Sequence, residues 1–451
     1  MISLRLRTLL VGLALTALPR AGGALEPVAA LSPEQAARLF PTLEANAAAL
    51  EAERLGCELD LRLAPIGSSR ENVCEREPPS GPPRGSARKP DLAGEVGRYL
   101  ETALEQPGMA PLPPDPVLMT LLSGHRVGLL RLRELVLEGE GLIWKQHRDR
   151  PLDYPLLGIF GLRRAQDDFV AMALERASAG DRGEALEWLE ASARFVELLR
   201  DRPVIVEQLI AHAAVRRHAR ALRKLAWVPE DLVRRLVGHD HRAAMRRAQL
   251  YGLWLFTEWA RTQEHPLDEL GLGLGEPDWL DRGLHWLSGT RPVKGLMRKM
   301  VLWADERDRL LLAELDDLGR CEAPEPRSVE AYGPGWVDPE LLPAALRTAP
   351  GASVYLQLEV DRLEVELELT DKFLAMLRSH RRHGSFPETL PGGSASLCPG
   401  GSWIDERRPD GFSLRYAGTE LWQPDGWWWP FPGPASDHAA PELHYVAPGE
   451  R

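Results

Sequence analysis

A chain of 451 residues, 44% hydrophobic and 27% charged, is long enough for more than one buried core, and that balance excludes wholesale disorder. Its formal net charge of −11 repels phosphate backbones and excludes nucleic acid as a general partner.

The N-terminus has the order of an export signal. Arg5 and Arg7 are followed by the apolar run Leu9–Leu18, then by Pro19 and the small residues Ala21–Ala24. The reading is a signal peptide over residues 1–24, cleaved after Ala24, which places the mature chain in the periplasm or outside the cell. The alternative is an uncleaved N-terminal anchor. The run is too short for a stop-transfer helix, and no later stretch is long and apolar enough to span a bilayer.

Residues 25–75 are expected to form an N-terminal helix and a disulfide loop. Ser32-Pro33-Glu34-Gln35 reads as a helix start with a capping box, and Pro41 as a kink on the way to Leu55. An exported chain keeps its cysteines in an oxidising compartment, where Cys57, Cys74, Cys321 and Cys398 suggest two disulfides. Three pairings are open. Proximity favours Cys57–Cys74, which leaves Cys321–Cys398. No CxxC is present for zinc or thiol redox chemistry.

Residues 76–90 are rich in Pro, Gly and Ser and read as a flexible linker. Residues 91–337 then read as a helical array domain. Asp181–Glu184 starts a helix that turns Leu186, Leu189, Ala193 and Val196 to one face. The next starts at Pro203 and buries Ile205, Val206, Leu209, Ile210 and Ala213. A short helix from Pro229 stops at Gly238, and Asp240 caps a long one. Short connections favour antiparallel neighbours, as in a bundle or solenoid, and no fixed repeat is present, so the array is expected to be irregular.

Residues 338–451 change character. Leu356, Val360, Leu363, Leu367, Thr370, Leu374 and Leu377 keep a 4-3-4-3 spacing, which predicts a long helix over about 353–382. Trp403–Arg407 and Phe412–Tyr416 flank the turn Pro409-Asp410-Gly411 and predict a β-hairpin. A Trp/Pro-rich tail follows. The fold class expected is therefore mostly α: an irregular antiparallel helical array with a small C-terminal head of one long helix and a β-hairpin.

The string LRSHRRHGSFPETL from Leu377, followed by PDGFSLRYAG ending at Gly418, resembles the point in type IV pilins and type II secretion pseudopilins where the long helix gives way to a small sheet. With its helices at 115–265 the chain also resembles large exported bacterial proteins of helical build with a pilin-like head. The resemblance implies an architecture and no activity. Unlike in pilins, the helix is internal and carries Glu364, Glu366 and Glu368, so no functional residue is carried over.

Candidate sites are few. Ten cations fall between Arg216 and Arg247, against only Glu230, Asp231 and Asp240. Arg216, Arg220 and Arg223 share a helix face, and Arg242 and Arg246 follow on the next long helix. The functional reading is a site for an anionic glycan, a lipid headgroup or an envelope protein; the simpler one is a face neutralised by the protein's own acidic helices. Trp427, Trp428 and Trp429 either bind a partner or form a strap over the head. His239-Asp240-His241 has metal-ligand types, but residues two apart on a helix point about 200° from each other, so no metal or other cofactor is assigned. His212 reads as a core histidine. Gly-x-Ser-x-Gly and His-Glu-x-x-His are absent. The expected function is an exported, non-enzymatic binding or scaffold protein of the cell envelope. The alternatives are a secreted hydrolase with a site assembled from distant residues, or a secretion-system accessory.

Overall fold

The computed structural model describes residues 33–63, 91–105, 111–145, 158–262, 320–321, 350–408, 411–418 and 441–446. The expected signal and linker, Cys74 and the three consecutive tryptophans lie outside them. The described chain is mostly helical, with a small antiparallel sheet near the C-terminus. Its elements are α1 (Pro33–Leu39), α2 (Ala47–Glu58), α3 (Leu92–Ala103), α4 (Pro116–Leu137), α5 (Ile159–Ser178), α6 (Arg182–Arg200), α7 (Ile205–Leu225), α8 (Glu230–Val237), α9 (His241–Thr262), α10 (Pro350–His383), β1 (Ser402–Arg408), β2 (Gly411–Ala417) and β3 (Glu442–Val446).

The helix starts follow their caps. Asp181 accepts the amide of Glu184 at 3.0 Å and Asp240 that of Ala243 at 2.8 Å, each satisfying a donor of a first turn. The first helix is two helices rather than one kinked at Pro41, because Asn46 starts a new one. Its Oδ1 accepts from Ala49 at 2.9 Å and from Ile143 at 3.2 Å, and its Nδ2 donates to the Gly141 carbonyl at 2.8 Å. One side chain thus caps α2 and fastens the strand of chain that leaves α4.

The array is antiparallel where connections are short. Arg176 meets Glu184, Phe169 meets Trp188 and Gln166 meets Ser192, so contacts descend α5 as they climb α6. Gly180, at φ +83°, makes the tight turn between the two. Close approach also needs Gly161: a Cβ there would run into the Leu61 carbonyl oxygen.

Helix α10 packs chiefly against α7, α8 and α9. Leu358, Leu363, Val365, Leu367, Leu369 and Phe373 point in several directions around it and are all buried in the one large core that also holds Trp188, Phe195 and Leu222. Its 34 residues span about 51 Å. Unlike the array pairs, α7 and α10 run parallel: Arg216 meets Glu359 and Arg223 meets Glu366, both 143 residues apart.

The sheet is a meander, β1-β2-β3, with β2 central and antiparallel to both neighbours. The expected hairpin is present, and Glu442–Val446 adds a third strand to it. Phe412 and Tyr445 from the sheet pack on Phe373 of α10 and on each other, and Phe386 from the preceding loop packs on both of them, with ring centres 5.1–6.2 Å apart. The buried Cys321–Cys398 disulfide ties the chain before α10 to the loop that leads into β1. Cys57 is also disulfide-bonded, and its expected partner Cys74 is outside the described residues.

Candidate functional site

A helix enclosed by a core normally lacks charge, because an unpaired ion in a poor dielectric is costly. Helix α10 keeps Glu359, Asp361, Glu364, Glu366, Glu368 and Lys372 and meets them from α7, from the segments before and after it and from within itself. Glu366 is met by Arg216 at 3.4 Å, Arg220 at 3.6 Å and Arg223 at 3.2 Å, all from α7. Arg223 also donates to the Thr370 hydroxyl. Glu359 pairs with Arg216 at 3.0 Å and Arg362 at 2.6 Å. Asp361 accepts the Cys321 amide at 2.9 Å, and Arg320 lies 3.7 Å from Glu364. Glu368 accepts from Ser396 at 2.8 Å, while Lys372 donates to the Gly393 carbonyl at 2.8 Å.

The electrostatics follow the partners. Burial raises the carboxyls of Glu359 and Glu366, but their arginines outweigh it and hold both below the ordinary glutamate range. Asp361 and Glu364 have weaker compensation, so burial holds them above it.

Of the arginines singled out in the sequence, Arg223 is buried and Arg216 half-buried against α10, while Arg220 reaches Glu366 from an exposed position. Arg216, Arg220 and Arg223 lie on one side of α7, as their spacing requires, and that side is set against α10. Arg242, from α9, offsets the charge of Asp361 and Glu364. Arg246 is half-buried on the same helix. Arg216, Arg220, Arg223 and Arg242 share the acidic helix of their own chain as partner.

A second polar cluster lies between α5, α6 and α7. Ser192 Oγ is 3.0 Å from His218 Nδ1, and Gln166 Nε2 donates to Ser192 at 3.4 Å and to the Ala214 carbonyl at 2.9 Å. A serine beside a histidine is nucleophile-and-base chemistry in principle. Here both residues are fully buried, and no carboxylate orients the ring from His218 Nε2. Burial lowers the histidine to about 3, which keeps it neutral. Nearby Asp168 is buried too, and burial plus the neighbouring Asp167 charge pushes its carboxyl well above the ordinary range. Sequence reading did not find this cluster. The available signal was three polar residues, Gln166-Asp167-Asp168, between the apolar Ala165 and Phe169 of one helix.

A third cluster gathers histidines. His239 precedes α9 and His241 opens it, so the two rings are not constrained by helical spacing and meet edge to face at 4.6 Å. His212 of α7 approaches His241 at 5.7 Å. Among the described residues no group of three or more His, Cys, Asp or Glu is arranged to hold a metal ion. Arg200, Arg216 and Arg247 all act on these rings, a setting unfavourable to a cation.

No protein-family model, curated protein or solved structure matches this chain.

Proposed function

We propose that this chain acts outside the cytoplasm as a binding or scaffold protein of the cell envelope, with α10 as its internal strut. The observation that carries the reading is the way α10 is held. Charge pairs fix it to α7, and a buried disulfide, Cys321–Cys398, joins the segments on either side of it. Disulfides persist in oxidising compartments, and the basic-apolar-small order of residues 1–24 is that of an export signal. Among the described residues no helix is long and apolar enough to cross a membrane. With Arg216, Arg220 and Arg223 engaged by α10, an envelope protein is favoured as partner over an anionic glycan or lipid headgroup. A secretion-system accessory is the alternative that the resemblance of the C-terminal head to pilins suggests.

The Ser192–His218 pair is the observation that favours a hydrolase as the second reading. One experiment separates the two. Envelope cells expressing the tagged full chain are crosslinked, fractionated and treated with a fluorophosphonate probe. The scaffold reading expects a mature chain starting near Leu25, oxidised at Cys321 and Cys398, crosslinked to an envelope protein and unlabelled at Ser192. An intact Met1 in a reduced cytoplasmic chain would overturn it, and labelling of Ser192 would replace it with the hydrolase.

A further inference from the structure

The histidine corner joins three elements. His212 comes from the middle of α7, His239 from the turn after α8, and His241 from the first position of α9. His212 and His241 are 2% and 0% exposed, while His239 is half-buried at the surface end of the cluster. Both ring nitrogens of His212 and Nε2 of His239 are enclosed without a hydrogen-bond partner, and His241 has no more than the marginal approach of the Leu236 carbonyl. Buried polar atoms in that state are uncommon, and a whole cluster of them calls for an explanation.

The charged groups around the corner are balanced in number. Arg216 on α7, Arg200 at the end of α6 and Arg247 on α9 disfavour a proton. Asp201 after α6, Asp240 in the turn and Glu359 on α10 favour one, as does the Leu236 carbonyl of α8 toward His241. Burial decides between them: His239 is lowered to about 4, His212 to about 3 and His241 to about 2. The closed corner therefore refuses protons that a solvated imidazole, with an ordinary value near 6.5, accepts. A first proton on His239 also lies against His241, so a second meets like charge in a dry site.

We propose that His212, His239 and His241 form an acid-sensitive latch, which seats the start of α9 against α7 at neutral pH and releases it when the surroundings acidify. Protons enter at His239, the half-exposed ring. Each histidine that charges only in the open form shifts the equilibrium toward opening by up to about tenfold per pH unit below 6.5. Three acting together make the response steep. The moving element is α9, hinged at Gly238–Asp240, and it carries Tyr251 and Trp254, which hold Phe40 after α1. Release of the latch thus frees the N-terminal segment as well.

The test is hydrogen exchange by mass spectrometry on the full chain between pH 7.5 and 5.0, corrected for the intrinsic pH dependence of exchange. This window lies above the range in which Glu359 and Glu366 titrate. The expected result is that amides of Ala244–Tyr251 lose at least tenfold in protection per pH unit below about 6.5, more steeply than those of α5 and α6. His212→Phe with His239→Asn and His241→Phe should make α9 protection independent of pH. Equal slopes for α9 and α5–α6 in the natural chain, or a slope retained by the triple variant, would overturn the latch. Should the triple variant lack protected α9 amides at pH 7.5, imidazole nitrogen resonances of the natural chain decide. Ring protonation that coincides with α9 opening supports the latch, and rings that charge while α9 stays protected refute it.

Discussion

Glu366 is the residue on which most of the buried charge converges. Its side chain is 14% exposed and meets three arginines, so its loss strands positive charge beside the core. Breaking a buried pair from one side costs about 3–5 kcal/mol, whereas replacing both partners with apolar groups of similar size is often neutral. Glu366→Ala is expected to destabilise by that amount in urea denaturation. Combining Glu366→Leu with Arg223→Met should recover part of the loss, which distinguishes a stranded charge from a lost contact. Gly161 carries a steric requirement instead. Gly161→Ala sets a methyl against the Leu61 carbonyl and should cost about 2–3 kcal/mol by forcing α5 away from the chain after α2. A change of less than about 0.5 kcal/mol, the usual scatter of surface substitutions, would show that the backbone there yields freely.

Among elements, α10 separates what the sequence made legible from what it did not. Its apolar 4-3-4-3 spacing marked a helix over nearly its full length, and the turn at Pro409-Asp410-Gly411 marked the hairpin. Its depth in the fold was not legible. Glu364, Glu366 and Glu368 are surface residues by composition, and partners distant in sequence make their burial tolerable: Arg320 for Glu364, the arginines of α7 for Glu366 and Ser396 for Glu368. Likewise the periodicity of Arg216, Arg220 and Arg223 revealed a shared face but not what that face meets. Leu443 and Tyr445 alternate as a strand requires, yet five residues beside a Trp/Pro-rich stretch give too short a signal to distinguish from loop. The disulfide makes a sharper prediction at this scale. Cys321 and Cys398 are 77 residues apart, and closing a loop of that size stabilises by about 4.5 kcal/mol in the chain-entropy model. Cys398→Ser should lower the urea midpoint accordingly. Its effect should be largest on amides of β1 and β2, which lose their tie to the core, and uniform loss across the chain would argue against a local clamp.

For the molecule as a whole, pH is the informative variable. His212, His218, His239 and His241 all have folded values below the unfolded 6.5. The unfolded chain therefore binds more protons between that value and the folded ones, and stability falls as pH drops through this window. Glu359 and Glu366, also lowered, add their loss only below the ordinary glutamate value of 4.5. Asp167, Asp168, Asp361 and Glu364 are raised, so their contribution has the opposite sign: it is present at low pH and lost as pH rises. The four histidines have their unfolded value inside the window from pH 7 to 5 and the carboxyls have theirs below it, so a loss of stability is expected there, at up to about 1.4 kcal/mol per unit for each uncompensated histidine. Asp168→Asn should raise the melting temperature at pH 7 and steepen the acid loss. A melting temperature that is flat from pH 7 to 5 in both proteins would show that the buried groups titrate as freely folded as unfolded.

The packing of α10 also has a consequence in time. Helices α7, α8 and α9 pack against residues 350–383, which leave the ribosome well over a hundred positions after α7. An N-terminal portion made alone has Arg216, Arg220 and Arg223 without the carboxylates of α10, and leaves uncovered the apolar faces that α10 packs on. It should remain loose and bind hydrophobic dyes, as collapsed intermediates do, until the last quarter of the chain arrives. A fragment ending at residue 340 should accordingly keep far-ultraviolet helicity and lose near-ultraviolet dichroism, and addition of a peptide covering 350–383 should restore it. Synthesis order thereby delays full compaction until residues 350–383 have been made.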